Sequence, residues 1–270
     1  MNPPFGGKEG KEAQTPYEYK TGATQVLFLQ NVLNHMKAGG KCGIVLDEGV
    51  LFRVDAEAFV KTKRKLLEEC DVYCIVSLPG GVFTSAGAGV KTNLVFFTRG
   101  NETKKIWYYD LSDIKVGKKT PLTLKHFDEF FQLLPKRADS PHSWTMDFST
   151  RVQKSLEEAR PHRERFIELS AQAKALEDVF REGRKEKKLN SEKLAVLEEK
   201  WKAVDREARE TLAKAETIEN AAYDLKAVNP NRVTKEDKRT PDQLLEFIAA
   251  KGLEADVALK SLRGLIAEAK

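Results

Sequence analysis

The amino-acid sequence predicts an α/β fold in two parts. The first is a partial, mostly parallel sheet with an antiparallel edge hairpin, and the second is a mostly α-helical, coiled-coil-like region. Short apolar runs alternate with segments of helical period in residues 1–150. That half holds 14 of the 17 glycines and 11 of the 14 phenylalanines, whereas 50 of the 120 residues in 151–270 are charged. We therefore expect two domains, 1–150 and 151–270.

Each element of the first half follows from the spacing of its apolar residues. Thr24 to Lys37 has helical period and is stopped by Gly39-Gly40, and residues 55–69 have the same period. Short β-branched and aromatic runs have the pattern of buried strands. Gly100-Asn101 separates the last two runs and predicts the edge hairpin. The predicted strands cover residues 41–46, 71–78, 93–99 and 104–110.

The second half carries two apolar stripes with the alternating three- and four-residue steps of a coiled-coil seam. A polar segment, residues 183–191, lies between them and offers Asn190 and Ser191 as N-caps. This pattern predicts an antiparallel helical hairpin with arms of roughly 30 Å at about 1.5 Å per residue. The stripes are Phe166, Leu169, Ala173, Leu176 and Phe180, and then Leu194, Leu197, Trp201, Val204, Ala208, Thr211, Ala215 and Ile218.

A further helix start follows near the end of the chain. Thr240 is a candidate N-cap, Pro241 suits the first helical position, and Gln243 completes a capping box. Gly252 is expected to end this helix, and a last helix is expected over residues 254–269. The apolar face after Thr240 is a candidate partner-binding surface.

Composition excludes several classes of protein. No apolar run approaches the roughly 18 residues of a membrane span, and the opening residues do not resemble a signal peptide. Three cysteines without metal-ligand spacing and four scattered histidines predict no metal site and a reducing, cytoplasmic location. A net charge of +5 is mild, so any binding to nucleic acid would be shared with a partner protein.

The most informative residues are Asn2-Pro3-Pro4-Phe5. Two prolines fix φ and remove two N–H donors, which leaves a rigid turn with an outward carbonyl. The Asn2 side-chain oxygen and the Pro3 carbonyl can then accept hydrogen bonds from one planar NH2 group, while Phe5 stacks on the ring that carries it. Such a site suits methyl transfer to the exocyclic amine of a flipped base. The alternative is a proline-rich tail without function.

The sequence resembles the modification (M) subunits of type I restriction–modification systems, which are adenine-N6 DNA methyltransferases. Asn2-Pro3-Pro4-Phe5 looks like their catalytic motif, and the ordered set of further motifs covers nearly the whole chain. These further motifs are Thr24-Gln25 to Gly40, Gly49-Val50-Leu51-Phe52, Leu78 to Phe83, Gly89 to Asn93, Trp144 to Phe148, Tyr223-Asp224-Leu225 and Asn229-Pro230-Asn231.

The resemblance implies a Rossmann-like, doubly wound sheet that binds S-adenosylmethionine. It implies DNA as substrate, and as partners a specificity subunit, a restriction subunit and a second M subunit. By position, Asn2 would orient adenine N6, Pro3 would accept the second hydrogen bond, Pro4 would rigidify the turn, and Phe5 would stack on the base. In this family the glycine-rich cofactor loop lies before the catalytic motif, so the cofactor-binding residues remain unknown here. We expect the chain to be the C-terminal portion of an M subunit.

Two residues of the glycine-rich loop 81–92 are tentative substrate-binding residues. Phe83 could flank the flipped adenine, and Lys91 could contact a phosphate. The alternatives are that Phe83 is a core residue and that Lys91 only caps the next strand. Asp47 and Glu48 follow the first strand, where α/β ligand sites lie. A solvated turn is the simpler interpretation of that pair.

The sequence thus predicts site-specific adenine-N6 DNA methylation as the modification subunit of a type I complex, by a chain that is incomplete by itself. The first alternative is a non-catalytic scaffold fragment of that complex. The second is a protein-glutamine N-methyltransferase, because an Asn-Pro-Pro-aromatic turn suits any planar NH2 group.

Overall fold

A computed structural model of the protein describes residues 1–84, 89–117, 119–185, 190–231 and 240–268. These residues form two compact units, Met1–Asn231 and Arg232–Lys270. The first unit contains a five-stranded sheet, and the division into domains 1–150 and 151–270 stays a prediction. The strands are β1 (Lys41–Asp47), β2 (Cys70–Ser77), β3 (Thr92–Arg99), β4 (Lys105–Asp110) and β5 (Ser143–Asp147). The helices of this unit are α1 (Lys11–Gln14), α2 (Thr24–His35), α3 (Glu48–Phe52), α4 (Glu57–Glu69), α5 (Asp128–Leu133), α6 (Phe148–Lys185) and α7 (Ser191–Ala221).

The mixed α/β fold class is confirmed, but the antiparallel pairing differs from the prediction. The strand order is β1-β3-β2-β4-β5, so β3 lies inside the sheet, antiparallel to both of its neighbours. Among the strands that the structure describes, only β2 and β4 pair in parallel, and both edge pairs, β1 with β3 and β4 with β5, are antiparallel. The prediction of a mostly parallel sheet is therefore wrong, because β3 inserts between β1 and β2 in the opposite direction. The predicted hairpin between residues 93–99 and 104–110 is therefore wrong.

Thr103 explains why β3 and β4 do not pair. Its buried hydroxyl donates to the Cys70 carbonyl at 2.6 Å and accepts the Val72 N–H at 2.8 Å. Gly100 has a φ of +125° and donates to the Glu69 carbonyl. The segment after β3 is thereby bonded across the start of β2, which places β4 on the far side of that strand.

Apolar clusters cover both faces of the sheet. The larger cluster packs α2, α3 and α4 against alternate residues of the strands and includes Ile44, Val95 and Phe97. The smaller cluster lies on the other face with α5 and includes Trp107 and Phe130. Strands β1, β2 and β4 run in the same direction, so their carboxyl ends share one edge of the sheet. In α/β proteins this is the edge at which ligands bind.

The predicted helical hairpin is confirmed, with longer arms than expected. Helix α6 has 38 residues and α7 has 31, which correspond to about 57 Å and 46 Å at 1.5 Å per residue. Asn190 is the N-cap of α7, because its side chain accepts the Lys193 N–H at 2.9 Å. Buried small and apolar residues, among them Leu169 and Ala208, lie where the two helices pack.

The second unit contains α8 (Pro241–Glu268), a single continuous helix. Its predicted capping box is present, because Thr240 and Gln243 each donate a backbone N–H to the other's side chain. The expected break at Gly252 is wrong, since the helix passes through that residue. A glycine inside a helix costs only about 1 kcal/mol, and the flanking alanines, leucines and lysines favour helix.

Candidate active site

The Asn-Pro-Pro-Phe turn lies at the carboxyl edge of the sheet, beside β1. The Met1 nitrogen donates to the Gly43 carbonyl at 2.6 Å, and the Met1 carbonyl accepts the Val45 N–H at 3.0 Å. These two bonds fix the residue before Asn2 along the outer side of β1. Pro3 is buried, whereas Asn2 and Pro4 are exposed. The turn is therefore anchored at its ends while the Asn2 amide faces outward.

The segment after the turn is tied to the start of α2. Gly6 and Gly7 have φ angles of +73° and +92°, and a Cβ on Gly7 would lie 2.8 Å from Thr24 Oγ1. Glycine is required there for both the backbone conformation and the close approach. Glu9 donates its N–H to the Gly22 carbonyl and accepts the Thr24 hydroxyl at 2.9 Å. The loop 1–10, which we call the catalytic loop, is thus held by β1 and α2 together.

Phe5 and Phe83, which the sequence predicts on either side of a base, contact each other directly. Their ring centroids are 4.9 Å apart with an angle of 53° between the planes, and both side chains are half-buried. Phe83 also packs against the smaller apolar cluster, so the core interpretation describes part of its surroundings. Residues 85–88 of the same loop lie outside the described residues.

Lys91 is paired with a carboxylate at this edge. Its Nζ lies 3.0 Å from Glu48 Oε1, and its carbonyl accepts the Glu48 N–H at 2.9 Å. Glu48 therefore holds the end of the 81–92 loop against α3. Asp47 has a local task, since its Oδ1 accepts the Val50 N–H at 2.8 Å as the N-cap of α3. Neither acid is positioned as a general base by these contacts.

Several buried polar groups at this edge were missed by sequence reasoning. Ser77, Thr92 and Asn93 are at most 1% exposed, yet their side-chain polar atoms have no hydrogen-bond partner among the described residues. Gln25 is 3% exposed, and its Nε2 is likewise unpartnered. Asn93 lies opposite Ser77 on the neighbouring strand. Ser77 could have been recognised in the sequence as a candidate site residue, because it is a polar residue at the last position of an apolar strand.

The described residues do not provide a recognisable cradle for a nucleotide cofactor. Gly80-Gly81 follows β2, and residues 81–83 form a turn rather than an α-helix. A phosphate- or adenosine-binding glycine loop needs a helix N-terminus behind it. Among the residues that the structure describes, no histidine, cysteine or acidic cluster could hold a metal ion.

This combination of features defines the class. An α/β sheet with the helix packing described above, and an Asn-Pro-Pro-Phe turn at its carboxyl edge, is the architecture of a Rossmann-like methyltransferase. More particularly, the chain belongs to the N-6 DNA methylase family, whose model matches residues 1–162.

The curated relatives are methylase subunits of type I restriction enzymes. The EcoEI methylase subunit of Escherichia coli is 43% identical over 111 residues, which cover 40% of this chain and 22% of the relative. The EcoKI methylase subunit of Escherichia coli K12 is 32% identical over 152 residues, 52% of this chain and 27% of the relative. The chain thus spans about a quarter of the length of the curated relatives it matches.

Solved structures give the same assignment for the fold. A chain from a study of assembly and conformational transition of the type I R-M system has a TM-score of 0.55 at 28% identity, covering 100% of this chain and 45% of that one. A modification subunit of a putative type I restriction enzyme from Vibrio vulnificus YJ016 has a TM-score of 0.51 at 30% identity, covering 55% and 33%. In the described part of the chain, no helix is long and apolar enough to cross a membrane.

Proposed function

We propose that the whole protein methylates the N6 amine of adenine in DNA, as the modification subunit of a type I restriction–modification complex. The family match supports this reaction, and the observation that carries it is the Phe5–Phe83 pair beside the exposed Asn2 amide. S-adenosylmethionine is the proposed methyl donor, and the residues that would hold it are not among those assigned here. Its sulfonium would supply the methyl group.

The proposed roles of the chain's own residues rest on the resemblance of the Asn-Pro-Pro-Phe turn to the family's motif. The Asn2 side-chain oxygen and the Pro3 carbonyl would accept the two N6 hydrogens, which orients the amine lone pair toward the methyl donor. Pro4 keeps the turn rigid because it fixes φ and has no N–H to compete for these acceptors. Orientation of this kind is a large part of catalysis, since it removes the entropy cost of aligning the reacting groups.

Phe5 and Phe83 would bind the base. A base stacked between two aromatic rings makes a contact of about 3.5 Å on each face, so the rings must lie roughly 7 Å apart. The ring centroids of Phe5 and Phe83 are 4.9 Å apart, which is too close for a base between them. We infer that Phe83 moves aside when the base stacks on Phe5. Lys91 would reach a phosphate only by leaving Glu48.

The proposed partners are DNA, a specificity subunit, a restriction subunit and a second M subunit, and the proposed location is the cytoplasm. The related methylase subunits of type I enzymes support an assembly of this kind. A non-catalytic scaffold role is the second candidate, because the long hairpin of α6 and α7 offers an extended surface. A glutamine N-methyltransferase is disfavoured by the match to the N-6 DNA methylase model.

The identity of the methylated group tests this proposal. The whole protein with its specificity partner is incubated with duplex DNA and methyl-labelled S-adenosylmethionine, and the DNA is digested to nucleosides. We expect the label in N6-methyl-2′-deoxyadenosine, and no label in DNA whose adenines are replaced by purine without the 6-amino group. Label on cytosine or on a protein glutamine would contradict the proposal, and absence of any label would favour the scaffold role.

A further inference from the structure

A small cavity lies beside the catalytic loop, between the start of α2 and the short helix α3. Its volume is about 180 Å³. It is formed by the glycines after the Asn-Pro-Pro-Phe turn and by polar residues of the two helices. The lining residues include Gly6, Gly7, Thr24, Gln25, Asp47 and Arg53.

Gln25 supplies an unpaired donor to this cavity. Its Oε1 accepts the backbone N–H of Asp47 at 3.0 Å, which fixes the orientation of the amide. Its Nε2 is then left without a partner among the described residues, although the side chain is 3% exposed. Because buried donors are normally paired, this NH2 group indicates a ligand with an acceptor atom.

The surroundings of Gln25 favour an anion. Helix α2 starts at Thr24 after Ala23, without a side-chain cap and with no acidic residue in its first turn. A helix N-terminus carries partial positive charge and unpaired N–H groups, which together attract anions. Arg53 adds a full charge at the mouth of the cavity, where its guanidinium lies 4.8 Å from the centre of the Phe59 ring.

Two carboxylates border the same region, and both are occupied by other contacts. Asp47 Oδ1 accepts the Val50 N–H at 2.8 Å. Glu9 accepts the Thr24 hydroxyl at 2.9 Å. Arg53 Nε is 3.7 Å from Asp55 Oδ1, a distance too long for a hydrogen bond. The Arg53 guanidinium therefore keeps donors for a ligand.

We propose that this cavity binds a phosphodiester group of the DNA strand, with Gln25 Nε2 and Arg53 as its donors. The choice of ligand rests on the proposed function, in which Phe5 stacks on the target base. Gly6 follows Phe5 directly, and consecutive Cα atoms are 3.8 Å apart. An anion in the cavity therefore belongs to the target nucleotide or its neighbour, and the anion of a nucleotide in DNA is the phosphodiester. The bare glycine backbone lets the strand approach closely.

The test uses the 270-residue chain and dimethyl phosphate as the probe, followed by amide and side-chain NMR signals. We expect saturable shifts of the Gln25 NH2 signals. Arg53→Met should weaken this binding by about tenfold, the equivalent of one charge-assisted hydrogen bond. Arg160→Met, which removes the same charge from an exposed position on α6, is the matched control and should leave the affinity unchanged.

Gln25→Glu is the sharper variant, because it keeps an acceptor for the Asp47 N–H and removes the donor. It should abolish the shifts of the backbone amides at the start of α2. If this variant fails to fold, the affinity of Arg53→Met for dimethyl phosphate still tests whether the cavity binds the anion. Absence of saturable shifts, equal binding of acetate, or unchanged affinity in Arg53→Met would overturn the proposal.

The whole protein separates this proposal from the methyl-transfer proposal. There, Arg53→Met should raise the KM for DNA several-fold with little change in kcat, whereas failure of the proposed function would remove the label from adenine altogether. The probe titration contains neither DNA nor methyl donor, so its failure would leave the methyl-transfer proposal intact.

Discussion

Lys63 is a buried amine that supports α3, beside the candidate active site. Its Nζ donates to the carbonyl of Leu51, in the last turn of α3, at 2.6 Å and to that of Arg53, the C-cap of α3, at 2.8 Å. Burial lowers its pKa to about 7, with Asp224 acting in the opposite direction. The side chain therefore satisfies helix-end carbonyls that would otherwise be buried without a donor.

The depressed pKa of Lys63 predicts a pH dependence of stability. Between pH 7 and about 10.5 the unfolded chain binds a proton that the folded protein does not, so the free energy of unfolding rises with pH. The contribution of this group is up to about 1.4 kcal/mol per pH unit over pH 7.5–9. Lys63→Met should lack this slope, as measured by urea unfolding at several pH values.

The effect of Lys63 is the difference between the pH slopes of the natural protein and Lys63→Met, because buried cysteines also make the free energy of unfolding depend on pH in this range. Burial raises the pKa of Cys70 and of Cys74, and these thiols contribute equally to both proteins. Lys61→Met, at an exposed position of the same helix, is the control and should keep the slope. Equal slopes in all three proteins would contradict the assignment.

At the level of single residues, the sequence predicted those with a distinctive chemical motif and missed those defined by burial. Asn2 and Phe5 were predicted because their chemistry is tied to a short motif. Phe83 was predicted to flank the same base, and its ring does contact Phe5. Gln25 and Lys63 were missed, because an unpaired donor or a buried ammonium group becomes visible only when the neighbouring helices are in place.

The elements that follow α7 hold the hairpin against the sheet. Leu225 donates its N–H to the Leu51 carbonyl at 3.1 Å, and its own carbonyl accepts the Tyr108 hydroxyl at 3.3 Å. Farther along, Asn229 Nδ2 donates to the Pro141 carbonyl, and Asn231 Nδ2 to that of Ser140. These contacts give a structural reason for the motifs in residues 223–231, because they bond the segment to α3 and to the turn before β5.

Arg163 and Glu219 connect α6 to the end of α7. The guanidinium donates two hydrogen bonds to the carboxylate, at 2.8 and 2.7 Å, and Glu219 is 12% exposed. Arg163→Met should lower the free energy of unfolding by about 1–3 kcal/mol, because it leaves a largely buried carboxylate without its partner. Urea unfolding measures this loss.

Arg165→Met is the control for that variant. Arg165 pairs with Glu207 across the same two helices, but both side chains are more than half exposed. Exposed pairs contribute about 0–1 kcal/mol, so this variant should be close to the natural protein. A loss in Arg165→Met as large as that in Arg163→Met would show that burial of Glu219 is not the cause.

Helices with a strong apolar periodicity were predicted well, whereas the order of the strands in the sheet was not. The spacing of apolar residues located α2, α4 and α7 to within a few residues, whereas α6 begins at Phe148, well before its predicted stripe. The order of strands was missed at β3 and β4, because Gly100-Asn101 has the composition of a hairpin turn. The deciding interaction is the Thr103 hydroxyl bonded to the backbone of β2, which local sequence does not reveal.

At the scale of the whole molecule, one edge of the sheet carries the candidate active site, and a long helical hairpin extends from the sheet. Its sheet presents the Asn-Pro-Pro-Phe turn, the Phe5–Phe83 pair and the cavity at Gln25 along one edge. The hairpin of α6 and α7 leaves from β5 and returns to α3 through residues 223–231. A partner bound to the hairpin would therefore be connected by direct contacts to the helix that borders the catalytic loop.

The most direct test of the account is methyl transfer by the Asn2→Ala variant of the whole protein with its specificity partner. Single-turnover label transfer and the affinity for S-adenosylmethionine are measured together, beside the natural protein. The account predicts that transfer to adenine falls by at least about a hundredfold, the lower end of what loss of a positioned polar group costs, while cofactor affinity stays within about twofold. Transfer at the natural rate would contradict the role assigned to Asn2 and with it the proposed active site.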